Sequence, residues 1–141
     1  MKRLLPTIFA VGASWLVSPS FAASFMHETA VEVAALPRFC WAHYSEKPLG
    51  PEFDIPRSSC GVAMNNYCDG LLLINRAPKA KSKNEQKQDL QRGLANTEYT
   101  LAGMKDYPSC PIRSHVEGTL KRARSALGLP PAPPPATPGS P

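Results

Sequence analysis

Residues 60–70 have the sequence CGVAMNNYCDG, and the spacing of the two cysteines in this stretch constrains how the chain can fold. Apolar residues recur at intervals of three and four from residue 58 onward, so we predict a helix over 58–76. Eight residues of helix rise by about 12 Å, whereas the α-carbons of a disulfide lie within about 7 Å of each other. Cys60 and Cys68 are therefore expected to bond to other cysteines. Gly70, inside this helix, marks either a weak position or a place where another backbone comes close.

The chain has four cysteines, an even number that predicts a disulfide framework in a small exported domain. If Cys60 and Cys68 do not bond to each other, two pairings remain. Cys40 bonds either to Cys60 or to Cys68, and Cys110 bonds to the other one. Short connections make consecutive helices antiparallel, so Cys110, after the second helix, should lie level with the start of the first. This arrangement favours the pairs Cys60–Cys110 and Cys40–Cys68.

The rest of the chain also has the pattern of helices. We predict a second helix over 84–105 and a third from Pro111 to Gly128, with a proline at its first turn and a glycine at its end. Two shorter helices are expected over 27–36 and 37–44, followed by an extended loop over 45–56. No segment has a convincing strand pattern, so the predicted fold is all-α, a small disulfide-stapled bundle of antiparallel helices. The residues expected in its core are Leu71, Leu72, Leu90, Leu101, Val116 and Leu120.

The two ends of the chain differ from this helical domain, which we place at 23–128. Residues 1–22 begin with Lys2 and Arg3, continue with an apolar run and end with small residues. That order is typical of a secretory signal peptide, so we expect a periplasmic or secreted protein that meets the membrane only through export. Residues 129–141 contain seven prolines and no charge, which predicts a disordered or polyproline II tail.

Basic residues concentrate between the first and second predicted helices. The formal net charge is +5, or +3 without Lys2 and Arg3, which is too little to indicate a nucleic-acid partner. Within 76–92 there are six basic residues and only two acidic residues, Glu85 and Asp89. This run predicts either a solvated loop and first helical turn or a surface that binds an anionic polymer or a membrane. The six basic residues are Arg76, Lys79, Lys81, Lys83, Lys87 and Arg92.

Sulfur and imidazole side chains offer an alternative to the disulfide framework. Cys40, His43, Met64 and Cys68 could hold copper or associate with haem, because thiolate, thioether and imidazole are ligands for such groups. However, the chain has no Cys-x-x-Cys pair and no Cys-x-x-Cys-His motif, so zinc ribbons and covalent haem attachment are not indicated. We therefore predict no metal and no cofactor.

Catalytic motifs are not apparent in the sequence. The chain has no Gly-x-Ser-x-Gly, no phosphate-binding loop and no His-Glu-x-x-His motif. The three histidines are scattered along the chain, and no spacing forces any carboxylates together. We therefore predict a protein that is not an enzyme. The candidate contact residues are aromatic, since aromatic side chains are favoured anchors in interfaces, although they are equally suited to the core. They are Phe39, Trp41, Tyr44 and Phe53.

Two segments resemble a known kind of protein. The segment 94–128 resembles a tetratricopeptide-type unit, in which one helix ends at Tyr107-Pro108 and a second helix follows a short turn, although the tryptophan and the leucine-glycine of that repeat are missing. LPRFCW (36–41) and CGVAMNNYCDGLL (60–72) resemble a block of small exported bacterial proteins with tetratricopeptide-like helices. That block is expected to have a histidine where this chain has Asn66. The resemblance implies a helical hairpin that holds other proteins.

These observations together predict an exported binding or assembly module in a cell-envelope complex. A single helical-repeat unit cannot usually bury its own apolar face, because such units rely on stacked neighbours. Two disulfides and an N-terminal helix could replace the neighbours. A partner could replace them instead, and the expected partner is an envelope protein or a second copy of the chain.

Overall fold

The structure of the protein, a computed structural model, describes residues 30–53 and 57–132. The predicted signal peptide (1–22) and residues 133–141 of the predicted tail lie outside these described residues. Within the described ranges the chain is mostly helical and has no β-strand, which confirms the prediction of an all-α fold. No helix there is both long and apolar enough to cross the hydrocarbon core of a bilayer.

Six α-helices follow one another in the described part of the chain. They are α1 (Ala30–Ala34), α2 (Trp41–Tyr44), α3 (Arg57–Cys60), α4 (Asn65–Arg76), α5 (Lys83–Gly103) and α6 (Arg113–Ala126). Helices α5 and α6 begin and end within two residues of the predicted second and third helices. Short 3₁₀ turns lie between several of these helices. They span Arg38–Cys40, Pro51–Phe53, Val62–Met64 and Ala77–Lys79.

The predicted continuous helix over 58–76 is wrong, because the chain breaks at Gly61. This residue has φ +81°, and a Cβ atom on it would lie 2.7 Å from the ring of Tyr107. Only glycine adopts this backbone conformation readily, so α3 stops after Cys60 and α4 starts at Asn65. The apolar spacing continues across the break because the intervening 3₁₀ turn also buries Met64.

Helices α4 and α5 pack backbone to backbone at two glycines. A Cβ atom on Gly70 would lie 3.0 Å from the carbonyl oxygen of Gly93, and one on Gly93 would lie 2.8 Å from that of Gly70. This contact confirms that another backbone comes close to Gly70. Because neither glycine leaves room for a side chain, the crossing fixes where the first half of α5 lies relative to α4.

The start of α5 is held by reciprocal hydrogen bonds. Ser82 Oγ accepts a bond from the backbone N–H of Glu85 (3.1 Å), and the Glu85 carboxylate accepts one from the backbone N–H of Lys81 (2.8 Å). These bonds satisfy donors that the first turn of a helix otherwise leaves unpaired. The carboxylate of Glu85 is thus engaged at the helix start.

Helix α6 ends where the sequence predicts. Gly128 has φ +67°, its N–H donates to the Ser125 carbonyl (3.0 Å), and the N–H of Leu129 donates to the Arg124 carbonyl (2.9 Å). This is a Schellman arrangement, which satisfies the last carbonyls of the helix. The chain then turns back, and Arg124 Nε donates to the carbonyl of Pro130 (2.8 Å).

Two disulfides join the short N-terminal helices to the longer ones. Cys40 is bonded to Cys68 on α4, and Cys60 is bonded to Cys110 between α5 and α6. These are the pairs favoured above, although Cys60 and Cys68 lie on separate helices, so the helical-rise argument does not apply to them. The bridged residues are 28 and 50 apart in sequence, and loop-closure entropy for such lengths corresponds to about 4 kcal/mol each.

The core consists of two apolar clusters. The larger cluster surrounds both disulfides and includes the fully buried side chains of Met64, Tyr67 and Met104. The smaller cluster lies where α4, α5 and α6 meet, and its members are Ile74, Leu94, Leu120 and Ala123. Five of the six residues predicted in the core are buried, and the sixth, Leu101, is half-buried. The buried five are Leu71, Leu72, Leu90, Val116 and Leu120.

Candidate binding cleft

The four aromatic residues named as candidate contacts do not form one surface. The rings of Trp41 and Phe53 stack with centroids 5.6 Å apart, and both side chains are half-buried. Tyr44 is buried, and its hydroxyl donates to Asp69 Oδ1 (2.8 Å). Phe39 packs elsewhere, against Tyr67 and His115. Only the Trp41–Phe53 pair joins two of the predicted contact residues.

The alternative set of metal ligands is not assembled in this structure. Cys40 and Cys68 are bonded to each other, which removes both thiolates. Met64 is fully buried, while His43 Nε2 lies 3.1 Å from Asp69 Oδ1. Among the described residues no group of three or more histidine, cysteine, aspartate or glutamate side chains is placed to hold a metal ion.

A partly buried polar cluster lies between α4 and α6, and no sequence pattern indicated it. The hydroxyl of Tyr67 is hydrogen-bonded to His115 Nδ1 (2.5 Å) and to Thr119 Oγ1 (2.8 Å). Burial raises the pKa of Tyr67, and burial together with the nearby charge of Arg122 lowers the pKa of His115. Both groups are therefore neutral near pH 7, and the arrangement suits a structural hydrogen-bond network. Tyr67 and His115 are 48 residues apart, so no local spacing could indicate their contact.

The basic run of the sequence lies beside a cleft of about 830 Å³. The cleft is bounded by the end of α4 and its following 3₁₀ turn, the first two turns of α5 and the last turns of α6. Ile74, Ala77 and Leu90 are buried and form its apolar base, while Pro78 and Leu127 remain accessible at its walls. Its volume is within the range of sites that bind small ligands or a short segment of another chain.

Four cationic side chains line this cleft, and all are exposed. They are Lys79, Lys83, Lys87 and Arg122. Three of them belong to the basic run, whereas Arg122 comes from α6. The fold therefore adds a fourth cation that the linear run does not contain.

Helical periodicity explains why the cations share one side of α5. Lys83, Gln86, Lys87 and Leu90 are spaced by three and four residues and all line the cleft. Glu85 and Asp89 fall on the other side of α5 and do not line the cleft. The two acidic residues that balance the run in the sequence thus lie away from the cations in the fold.

The charge of the four cations is not balanced within the part of the chain that the structure describes. None of the four makes an ion pair there, and two other carboxylates of the described residues are paired with arginines that do not line the cleft. Glu32 pairs with Arg76 at 2.9 Å, and Glu98 pairs with Arg124 at 2.9 Å. Like charges one turn apart on a helix destabilise it by a few tenths of a kcal/mol, which applies to Lys83 and Lys87. The cleft is therefore a concave, partly apolar surface with an uncompensated positive charge.

This arrangement can attract and hold an anionic group. The histidines His43 and His115 lie outside the residues that line it. Comparison of the chain with protein-family models, with curated proteins and with solved structures found no match.

Proposed function

We propose that the protein is an exported, disulfide-stabilised binding module whose cleft receives an acidic segment of another protein in a cell-envelope complex. The observation that carries this proposal is the placement of Lys79, Lys83, Lys87 and Arg122 around an apolar base, with no carboxylate among the lining residues. A partner that brings carboxylates would relieve the repulsion between these cations, and charge complementarity of this kind also accelerates association.

The covalent structure supports the proposed location. Two disulfides are compatible with an oxidising compartment, where such bonds form and persist. They also anchor the start of α2 onto α4 and the end of α3 onto the connection between α5 and α6. A domain stabilised in this way can present a preformed cleft, which lowers the ordering cost of binding.

The resemblance to tetratricopeptide-like proteins supports a role in holding other proteins. The hairpin of α5 and α6 occupies the segment 94–128 that carries part of this resemblance, together with the first half of α5. Such hairpins use their helical surfaces to bind protein segments. We therefore place the contact surface on the hairpin and not on the Trp41–Phe53 pair.

The proposal is tested with charge reversals at and away from the cleft. K83E/K87E places two carboxylates in the cleft, while K81E/R92E makes the same change of net charge at exposed residues that do not line it. Each oxidised protein is immobilised and exposed to envelope extract at low salt, and bound proteins are eluted with a salt gradient and quantified by mass spectrometry. We expect an acidic partner that the wild type and K81E/R92E retain and that K83E/K87E loses. Equal retention by all three proteins would contradict the proposal.

A further inference from the structure

Resting on the proposed function, we infer that the occupant of the cleft is an amphipathic helix with carboxylates one turn apart. Its apolar face would lie on the base of the cleft, and its acidic side chains would face Lys83, Lys87 and Arg122. This assigns a binding mode and a class of partner to the site.

The dimensions of the cleft walls suit a short helix. The lining part of α5 runs from Lys83 to Leu90, which corresponds to about 10 Å of rise, or two turns. The opposite wall runs from Arg122 to Leu127 at the end of α6. Helices α5 and α6 contact each other in the core at Leu94, whereas the cleft lies closer to the start of α5. A third helix can therefore lie between the α5 wall and the α6 wall.

The charges and the apolar residues of the cleft are arranged so that they complement an amphipathic helix. Lys83 and Lys87 are one turn apart, so carboxylates at i and i+4 of a docked helix have the same spacing along the axis. The base beneath them is apolar, and Pro78 and Leu127 are accessible to the apolar face of such a helix. A ligand with charge alone would leave these apolar walls uncovered.

A helix is favoured over an extended segment because of its backbone. An extended peptide needs a sheet edge or equivalent partners for its N–H and C=O groups, and the described part of the chain has no strand. A helical occupant satisfies its own backbone hydrogen bonds. It can therefore dock on side chains alone, which is what the walls of α5 and α6 offer.

The shape of the site argues against a membrane surface. A bilayer is approached by protruding groups, whereas the apolar residues here lie at the bottom of a cleft. Of the large apolar side chains that are exposed among the described residues, none lines this cleft. Those exposed side chains are Val31, Leu49, Val62, Tyr99, Tyr107 and Leu129. The proline-rich segment 129–141 is also a poor occupant, because it contains no acidic side chain.

The inference is tested with designed peptides and the oxidised protein. The probe is a hydrocarbon-stapled helix of four turns with a face of Leu and Ala and with Glu pairs at i and i+4 along the edge of that face. Its controls are a scrambled peptide of the same composition, a proline-containing version that cannot be helical, and vesicles with 30 mol% phosphatidylglycerol. Binding is measured by calorimetry at two salt concentrations, and the site is mapped from amide chemical shifts of ¹⁵N-labelled protein.

We expect the stapled helix to perturb the amides of residues 83–90 and 122–127 and to bind at least tenfold more tightly than either control peptide. K83E/K87E should weaken this binding at least tenfold, and K81E/R92E by less than threefold. If the scrambled or extended acidic peptides bind the same amides as well as the helix does, the helical inference is overturned while the acidic cleft stands. If no acidic peptide perturbs these amides, both the inference and the proposed function are overturned. Vesicles that perturb these amides more than the stapled helix does would replace the protein partner with an anionic surface.

Discussion

Gly70 on α4 and Gly93 on α5 face each other, and a Cβ atom on Gly93 would lie 2.8 Å from the Gly70 carbonyl oxygen. This contact sets the distance between the two helices. Because the cleft begins one turn before Gly93 on the same helix, the glycine pair also positions the lysines of the cleft.

Substituting Gly93 by alanine should destabilise the protein. The added methyl group would also lie 2.6 Å from Ile74 Cγ1, and overpacking of this kind costs about 1–3 kcal/mol, against a gain in helix propensity of about 1 kcal/mol. We expect a net loss of up to about 2 kcal/mol in the free energy of unfolding, measured by urea denaturation. Gly118→Ala on α6 is the control, since a Cβ atom there would meet nothing within 4 Å beyond its chain neighbours and the backbone of its own helix, and it should stabilise the protein by up to about 1 kcal/mol. A stabilised G93A would contradict the close crossing.

Removing either disulfide should lower the free energy of unfolding by about 4 kcal/mol, because the denatured chain gains loop entropy. Separations of 28 and 50 residues predict that the effects of C40S/C68S and C60S/C110S differ by only about 0.5 kcal/mol. Both double variants are compared with the wild type by urea denaturation. Intact mass after alkylation without reduction, in denaturant, provides the control for the wild type. A labelled cysteine there would show that the two bridges are not both formed.

Arg122 should control the titration of His115. Its charge, after burial, is the second cause that holds the pKa of His115 below 6.5. In Arg122→Gln we expect the pKa of His115 to rise toward that value, as followed by NMR of the imidazole Cε1–H signal. Lys121→Gln, at an exposed neighbouring position, should leave it nearly unchanged. An unchanged His115 titration in R122Q would mean that Arg122 does not lie near the Tyr67–His115 cluster.

The depressed pKa of His115 also gives the protein a pH dependence of known sign. Between the folded and the unfolded pKa of His115, the unfolded chain binds more protons, so stability falls as pH drops below 6.5 and levels off below the folded pKa. In His115→Gln this part of the pH dependence should disappear from urea denaturation curves measured between pH 7 and pH 4.5. If this pH dependence persists in His115→Gln, another titrating group causes it.

Asp69 should contribute to stability on the acid side. Hydrogen bonding to His43 is the largest cause that lowers the pKa of Asp69, and the Tyr44 hydroxyl contributes as well. Because the folded pKa lies below the unfolded value of 3.8, the contribution is present above pH 4 and is lost as pH falls through the folded pKa. Asp69→Asn should therefore flatten the loss of stability below about pH 4, relative to the wild type. Glu117→Gln is a matched control at an exposed carboxylate. If D69N loses stability below about pH 4 as steeply as the wild type does, this role of Asp69 is contradicted.

Sequence patterns predict the long elements well because their signals are local. Each of these signals spans only a few residues of sequence. They are the Ser82–Glu85 start of α5, the glycine end of α6 and the apolar stripe of each helix. The break at Gly61 escaped the pattern because Met64 remains buried at helical spacing even though the turn is 3₁₀. A glycine in a helical pattern is compatible both with a continuous helix and with a break in the helix.

The candidate cleft could be predicted only in part. The lysines at 79, 83 and 87 are spaced by four, so the sequence alone could place two of them on one face of α5. The contribution of Arg122 depends on how α6 packs against α5, which no local pattern encodes. The burial of Tyr44 and the contact of Phe39 with His115 depend on long-range packing in the same way, so the candidate contact residues stay a prediction. The tetratricopeptide-like identity, the export and the partner stay predictions.

Photo-crosslinking from the cleft in intact cells tests the central claim most directly. A benzoylphenylalanine replaces Gln86, which lines the cleft between Lys83 and Lys87, or replaces Tyr99 on the same helix, which is 61 % exposed and does not line the cleft. The account predicts a crosslinked adduct at residue 86, to an acidic segment identified by mass spectrometry, that disappears in the K83E/K87E background and is absent at residue 99. Adducts at residue 99 but not at residue 86, or a residue-86 adduct that survives K83E/K87E, would contradict it.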